Sequence, residues 1–90
     1  MRVLVTGGAG FIGAAVCGRL LGRGDAVTAL DSLNDAYDVR LKEWRLARFE
    51  GRPGFRFVRA DVADEAAVRS AFEEARHDGG FDAVVNLAAR

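Results

Sequence analysis

The sequence is short of the residues that build disulfides and metal sites. Its 90 residues include one cysteine, Cys17, and one histidine, His77. A single thiol excludes an internal disulfide and a cysteine-based metal site, so we expect Cys17 to pack within a helix. His77 lies near a predicted helix end, where the helix dipole favours a surface imidazole. We therefore expect no metal site and no chemistry from either residue.

The chain also lacks excess charge and long apolar runs. Its 13 basic and 13 acidic residues cancel, so no overall field attracts nucleic acid or an anionic membrane. No apolar stretch approaches the roughly 20 residues that cross a bilayer, and Met1 leads into a strand-like segment rather than a secretory signal. We expect a cytoplasmic protein without nucleic acid or membrane partners, folded as one small domain, residues 1–90.

Strand and helix patterns alternate along the chain. The predicted strands are residues 2–6, 25–31, 55–61 and 81–89, and the predicted helices are 11–22, 38–49 and one that Asp64 caps. Short connections favour right-handed parallel crossovers. The series β-α-β-α-β-α-β therefore predicts an α/β fold, half of a doubly wound, Rossmann-like parallel sheet with strand order 3-2-1-4.

Helical spacing also predicts which side chains face the sheet. The expected contacts are Ile12, Ala15, Val16 and Leu20 in the first helix, Leu41, Trp44 and Leu46 in the second, and Val68, Ala71, Phe72 and Ala75 in the third.

The segment VTGGAGFIG, residues 5–13, joins the first strand to the first helix. With Gly10 and Gly13, either Gly8 gives the pattern G-x-G-x-x-G or Gly7 gives G-x-x-G-x-x-G. At such a turn, glycines allow a sharp reversal, admit a pyrophosphate close to backbone N–H groups and let the helix pack on the strand. The helix N-terminus adds unpaired N–H groups and a positive dipole end. The loop therefore predicts a dinucleotide site.

An acid, Asp31, closes the second predicted strand. A carboxylate there can accept hydrogen bonds from both hydroxyl groups of an adenosine ribose and would repel a 2′-phosphate, which favours NAD over NADP. A P-loop is excluded because no Gly-Lys-Ser/Thr follows, the one lysine being Lys42. Two alternatives stay open: glycines that only turn the chain, and an S-adenosylmethionine site with a similar loop and acid.

Four segments together resemble a known family: VTGGAGFIG, Asp31, ADVAD (60–64) and NLAAR (86–90). They resemble the extended short-chain dehydrogenase/reductases, the NAD-dependent nucleotide-sugar epimerases and dehydratases. In that family the pattern is T-G-x-x-G-x-x-G, which selects the register with Gly7 and makes Gly8 the variable position. Residues 31–49 are most similar to UDP-glucuronate 4-epimerases, where an LK-x-x-RL helix recurs. The resemblance covers the N-terminal part of a family member.

The resemblance implies a set of NAD-binding residues. The residues at the pyrophosphate turn are Gly7, Gly10, Phe11, Ile12 and Gly13, and those around the adenosine ribose are Asp31, Ser32 and Asn34. The residues at the adenine are Asp61 and Val62, and those at the nicotinamide are Leu87, Ala88 and Ala89.

The family's catalytic residues have no counterpart in these residues. The reaction needs a serine or threonine and a Tyr-x-x-x-Lys pair, whereas the one tyrosine, Tyr37, lies in another part of the fold and is wrongly spaced from Lys42. We expect an NAD-binding portion of a nucleotide-sugar epimerase that is not catalytically competent alone. The alternatives are a self-associating structural unit, a homo-oligomer through the open edge of strand 81–88, and one part of a split NAD-dependent dehydratase.

Overall fold

The computed structural model describes residues 1–33 and 39–88, and in these ranges four strands alternate with three helices. The elements are β1 Arg2–Thr6, α1 Phe11–Gly22, β2 Ala26–Asp31, α2 Val39–Ala47, β3 Phe55–Arg59, α3 Glu65–Arg76 and β4 Ala83–Asn86. The predicted order is confirmed, and β3 and β4 end earlier than predicted. None of the helices in these ranges combines the length and the hydropathy that a membrane span needs.

The strands form one parallel sheet in the order β3-β2-β1-β4, which confirms the predicted topology. In the centre of the sheet, Val3 of β1 lies opposite Val27 of β2 and opposite Ala83 of β4. On the far side of β2, Phe57 of β3 lies opposite Ala29. Because the strands run parallel, their carboxyl ends and the loops that follow meet along one edge of the sheet, where open α/β folds bind ligands.

The main core lies between the sheet and α1. Alternate residues of each strand point to this side. The buried cluster consists of Val3, Val5, Ala14, Cys17, Leu21, Val27, Ala29 and Phe49. Burial raises the pKa of the Cys17 thiol to about 11, so at neutral pH this side chain is a protonated thiol that packs as a small apolar group.

The buried face of α1 lies one residue further along than predicted. The predicted residues Ile12 and Ala15 are exposed and Val16 and Leu20 are only partly buried. The buried residues of the helix are Gly13, Ala14, Cys17 and Leu21. A Cβ at Gly13 would overlap the carbonyl group of Gly7, so this backbone contact determines how the helix is rotated.

The buried face of α2 was predicted wrongly in two of three positions. Leu41 and Trp44 are 42% and 61% exposed, whereas Leu46 is buried as predicted. Two cations, Lys42 and Arg45, take the inner positions instead. Their polar contacts, described below, orient the helix and leave the indole ring in solvent.

On the opposite side of the sheet, α3 begins at the predicted cap. The Asp64 side chain accepts a hydrogen bond from the N–H of Ala67, which satisfies one of the unpaired N–H groups of the first turn. Ala71 and Ala75 are the buried residues of this helix. Such small side chains let α3 approach the strands closely.

This side of the sheet is covered only in part. Phe72 of α3 is 39% exposed and meets Phe81 edge to face, with ring centroids 5.0 Å apart. In β4, Val84 is 50% exposed, and just after it Leu87 is 39% exposed. Apolar side chains of β4 therefore remain in contact with solvent.

The amino terminus is anchored at the turn before β2. The ammonium group of Met1 donates to Asp25 Oδ1 at 2.9 Å, and Arg23 Nε lies 3.4 Å from the other carboxylate oxygen. These groups, the terminal ammonium foremost, hold the pKa of the Asp25 carboxyl below its usual range.

We expect Asp25→Asn to reduce the loss of stability in acid. Because the folded pKa is below the unfolded one, this carboxylate stabilises the fold fully above the unfolded value and loses that contribution as the pH falls through the folded value. Urea unfolding between neutral pH and about pH 2.5 measures the effect. Glu73→Gln, an exposed change on α3, is the control, and equal acid dependence of parent and Asp25→Asn would contradict the role of Asp25.

Candidate functional site

The glycine loop, residues 7–10, crosses from the carboxyl end of β1 to the start of α1. The N–H of Gly7 donates to the carbonyl of Leu30 at 2.8 Å, and the N–H of Gly10 donates to the carbonyl of Gly7 at 3.1 Å. Gly7 has φ of 74°, a left-handed conformation that glycine adopts without steric cost. These contacts fold the loop back over the end of β2.

Gly13 and Gly10 serve different purposes in this turn. Gly13 is needed for packing, because any Cβ there would overlap the carbonyl of Gly7. A Cβ at Gly10 would lie 3.3 Å from the carbonyl oxygen of Gly7, a tight contact with one backbone atom, so glycine leaves this position uncrowded. Helix α1 has no side-chain cap at Gly10 and no acid in its first turn. An anionic group can therefore approach the N–H groups of this turn.

The family pattern treats residue 8 as variable, but the structure leaves little space for a side chain at Gly8. A Cβ at Gly8 would lie 2.6 Å from the Cβ of Ala29 and 3.3 Å from the carbonyl oxygen of Val5. The loop rests directly on the middle of β2, so the Cβ of Ala29 is the nearest obstacle to a side chain at residue 8. The two positions are therefore sterically coupled.

We expect Gly8→Ala to lower the free energy of unfolding by about 1–3 kcal/mol, the usual cost of overpacking. Adding Ala29→Gly should recover part of the loss, because it removes the Cβ that the new methyl group would meet. Urea unfolding of both single variants and the double variant measures this. Gly22→Ala is the control, since a Cβ there meets nothing within 4 Å; a double variant whose loss equals the sum of the losses of Gly8→Ala and Ala29→Gly alone would refute the coupling.

The carboxylate of Asp31 lies beneath the glycine loop, only 5% exposed. Its Oδ2 accepts from the N–H of Ala9 at 3.0 Å, and its Oδ1 accepts from the N–H of Leu33 at 2.8 Å. Lys42 Nζ donates to Oδ1 at 3.2 Å. Oδ1 therefore has two partners and Oδ2 has one, which leaves Oδ2 a further lone pair for a ligand hydroxyl.

Two cations of α2 complete this arrangement, and the sequence pattern assigns neither of them a role. Lys42 forms a buried ion pair with Asp31, and Arg45 Nη1 donates to the carbonyl of Ala9 at 3.2 Å. The two residues are three positions apart and so share one face of the helix. The sequence signal for this role is a Lys and an Arg at helical spacing beside the apolar Leu46. That signal indicates a cationic inner face of the helix only when an acid is known to lie opposite.

The segment after β4 lies against the same loop. Thr6 Oγ1 donates to Asn86 Oδ1 at 2.5 Å and accepts from the N–H groups of Leu87 and Ala88 at 3.1 and 3.3 Å. A Cβ on Gly7 would lie 2.9 Å from the nitrogen of Ala88. Thr6, the threonine that opens the family pattern, therefore connects β4 to the start of the glycine loop.

The remaining predicted residues lie along the same edge of the sheet or outside the described ranges. Phe11 and Ile12 form the first turn of α1 with exposed side chains. Asp61 follows β3, and its Oδ1 accepts from the N–H of Ala63 at 2.9 Å, the local turn that a carboxylate at a strand end commonly makes.

Val62 is partly buried, and so is Ser32 beside Asp31. Asn34 and Ala89 lie outside the described residues. Within residues 1–33 and 39–88, no three His, Cys, Asp or Glu side chains are grouped so as to hold a metal ion.

The strand order, the glycine turn before α1 and the acid that ends β2 define a Rossmann-like α/β unit. Residues 3–90 match the model of the NAD dependent epimerase/dehydratase family. The chain belongs to that family.

Among its relatives is the UDP-glucuronate 4-epimerase of Thermodesulfobacterium geofontis (strain OPF15), 46% identical over 87 residues, which are 97% of this chain and 26% of the relative. UDP-glucuronate 4-epimerase 3 of Arabidopsis thaliana is 44% identical over 88 residues, 98% of this chain and 19% of that protein. The chain thus spans about a quarter or less of the relatives it matches.

Solved structures show the same fold. The UDP-glucuronic acid 4-epimerase of Bacillus cereus, in complex with UDP-glucuronic acid and NAD, superposes with a TM-score of 0.81 at 30% identity. The match covers 99% of this chain and 26% of that structure. The chain therefore corresponds to one limited region of a longer family member.

Proposed function

We propose that this chain binds NAD at the carboxyl edge of the sheet, as the cofactor-binding portion of a UDP-glucuronate 4-epimerase-like enzyme. The observation that carries the proposal is the glycine turn that begins α1 without a side-chain cap or an acid in the first turn, with the Asp31 carboxylate under the same loop. Backbone N–H groups and a helix dipole suit a pyrophosphate, and a carboxylate suits ribose hydroxyl groups. The relatives support the cofactor, since the Bacillus cereus structure contains NAD.

The proposed contacts follow the order of the loops along the edge. Gly7, Gly10, Phe11 and Ile12 would hold the pyrophosphate through their backbone, while Gly13 keeps α1 close to the loop. Asp31, Ser32 and Asn34 would surround the adenosine ribose. The adenine would meet Asp61 and Val62, and the nicotinamide would meet Leu87, Ala88 and Ala89.

Binding of a ribose at Asp31 would have to accommodate the hydrogen bonds that the carboxylate already makes. The carboxylate is already bonded to two N–H groups and to Lys42. A hydroxyl group must use the remaining lone pair of Oδ2 or displace the ammonium group from Oδ1. Use of the Oδ2 lone pair breaks no existing bond, whereas displacement of the ammonium group would leave Lys42 without this partner and weaken binding. Lys42 lies close enough to this site to serve as a second ribose contact.

The proposed role of these residues is cofactor binding and does not include catalysis. When bound, NAD would accept a hydride from the sugar carbon that bears the hydroxyl group, while a base would take the hydroxyl proton as the carbonyl group forms. Tyr37 and Lys42 do not have the spacing of the family's pair, and Lys42 is occupied with Asp31. The residues of this chain bind and orient the cofactor.

Titrating NAD into the 90-residue chain should release or absorb saturable heat and raise the melting temperature at millimolar NAD. We expect Asp31→Asn to narrow the preference for NAD over NADP by about tenfold, because it removes the charge that repels a 2′-phosphate and leaves Lys42 to attract it. Calorimetry with both coenzymes measures the ratio.

Glu73→Gln, which removes one negative charge from α3, is the matched control and should keep the parental ratio. No heat and no stabilisation at millimolar NAD would reject the proposal, and an unchanged coenzyme ratio in a folded Asp31→Asn variant would reject the role of Asp31.

A second candidate function is self-association through β4. Within the described residues, this strand pairs only with β1 and ends the sheet, while Val84 and Leu87 are 50% and 39% exposed. An unpaired edge with apolar side chains is a template for another strand. A second copy of the chain would cover both the edge and the apolar surface.

We expect light scattering at tens of micromolar to show a dimer or larger oligomer. Val84→Lys should shift the mass towards the monomer, because a charge on an edge strand opposes pairing. Ala66→Lys adds the same charge to an exposed position of α3 and should leave the mass unchanged. A monomeric mass for the parent chain would rule out this candidate.

A further inference from the structure

A groove of about 680 Å³ is lined by residues of α1, of α2 and of the segment that follows α2. Six of its lining residues define what we name the arginine groove: Phe11, Arg19, Trp44, Arg45, Arg48 and Arg52. Its volume falls within the range of small-molecule sites, about 300–1,000 Å³. The groove is distinct from the proposed NAD site, which lies along the strand ends, and the two adjoin only near Phe11 and Arg45.

The charge of the groove differs sharply from that of the chain. The net charge of the sequence is +0, yet four arginines line this one concavity, and none of the described residues lining it is acidic. A cleft lined by one sign of charge concentrates its potential and attracts counter-ions. Three of the four, Arg19, Arg48 and Arg52, are exposed, and guanidinium groups match phosphate and carboxylate oxygens in pairs.

Aromatic rings in the groove narrow the class of anion. Trp44 is 61% exposed and Phe11 is 76% exposed. The Arg48 guanidinium lies 5.1 Å from the centre of the Trp44 ring and 5.6 Å from that of Phe49. Planar bases stack on exposed aromatic rings and on arginine planes. The combination suits a ligand with a flat aromatic ring and several negative charges.

We propose that the arginine groove binds a nucleoside polyphosphate, with the base on Trp44 and the phosphates among the arginines. A chain without net positive charge is poorly suited to track a nucleic acid backbone, which favours a single nucleotide over a longer strand. The aromatic rings favour a nucleotide over an acidic peptide, which would use the arginines alone. The proposal stands independently of NAD binding.

The indole ring provides a local reporter, because Trp44 is the one tryptophan of the sequence. GTP is the probe, since its base differs from the adenine of NAD. We expect GTP to quench the fluorescence of Trp44 saturably and to shift its indole N–H resonance, both with NAD present in excess and without it. Raising the salt concentration should weaken this binding.

Arg19→Ala with Arg52→Ala should weaken GTP binding at least about tenfold, because each change removes a charge-assisted contact. Both side chains are exposed and come from opposite walls of the groove. Arg69→Ala with Arg76→Ala removes the same charge from exposed positions of α3 and should leave GTP binding unchanged. Circular dichroism establishes that both variants are folded.

Inorganic tripolyphosphate and hexaglutamate separate the possible ligands. If tripolyphosphate and hexaglutamate both bind more weakly than GTP, the result supports a nucleotide as the ligand. Equal binding of tripolyphosphate would overturn the stacking on Trp44, and equal binding of hexaglutamate would assign the groove to acidic peptides instead. The proposal is also overturned if millimolar GTP produces no saturable response at Trp44, if excess NAD abolishes the response, or if the Arg69 and Arg76 control weakens GTP binding as much as the groove variant.

Discussion

The carboxylate of Asp31 joins the three parts of the candidate site. It ends β2, accepts the N–H of Ala9 from the glycine loop and pairs with Lys42 from α2. All these groups are buried, so little water competes for their hydrogen bonds and each lost partner leaves a costly unsatisfied charge or donor. This anchor adds to the contact of Gly7 with Leu30 that holds the loop and to the buried Leu46 that holds α2.

The anchor also explains why the two layers of the fold differ. On the side of α1, the core packs against a loop held by Asp31 and Arg45, and a second cluster of Ala9, Leu33 and Leu46 forms next to them. On the side of α3, alanines alone are buried in the helix, and β4 leaves apolar side chains in solvent. Buried contacts are therefore concentrated around the glycine loop, whereas the apolar side chains of β4 are incompletely covered.

Much of the fold could be predicted from the sequence because its determinants are local. Apolar periodicity and the glycine turn identify the elements, and the handedness of parallel crossovers then restricts the strand order. The helix faces could not be predicted as well. The rotation of α1 follows from the contact between Gly13 and Gly7, and that of α2 from two charged residues that periodicity treats as solvent-exposed. Both depend on contacts between elements.

The candidate site also contains residues that the sequence identifies and residues that it does not. Gly7, Gly10 and Asp31 are recognisable because their residue types and spacing carry the chemistry. Lys42 and Thr6 matter through partners that become neighbours only on folding. The contact of Gly8 with Ala29 is invisible for the same reason, since the two positions lie on different elements.

A double-mutant cycle on Asp31 and Lys42 tests the central claim most directly. The free energy of unfolding would be measured in urea for the parent, Asp31→Asn, Lys42→Met and the double variant. If the buried pair anchors the site, the double variant loses less stability than the sum of the single changes, by at least about 1 kcal/mol. Additive losses within about 0.5 kcal/mol would show that the two side chains do not act together and would contradict the account.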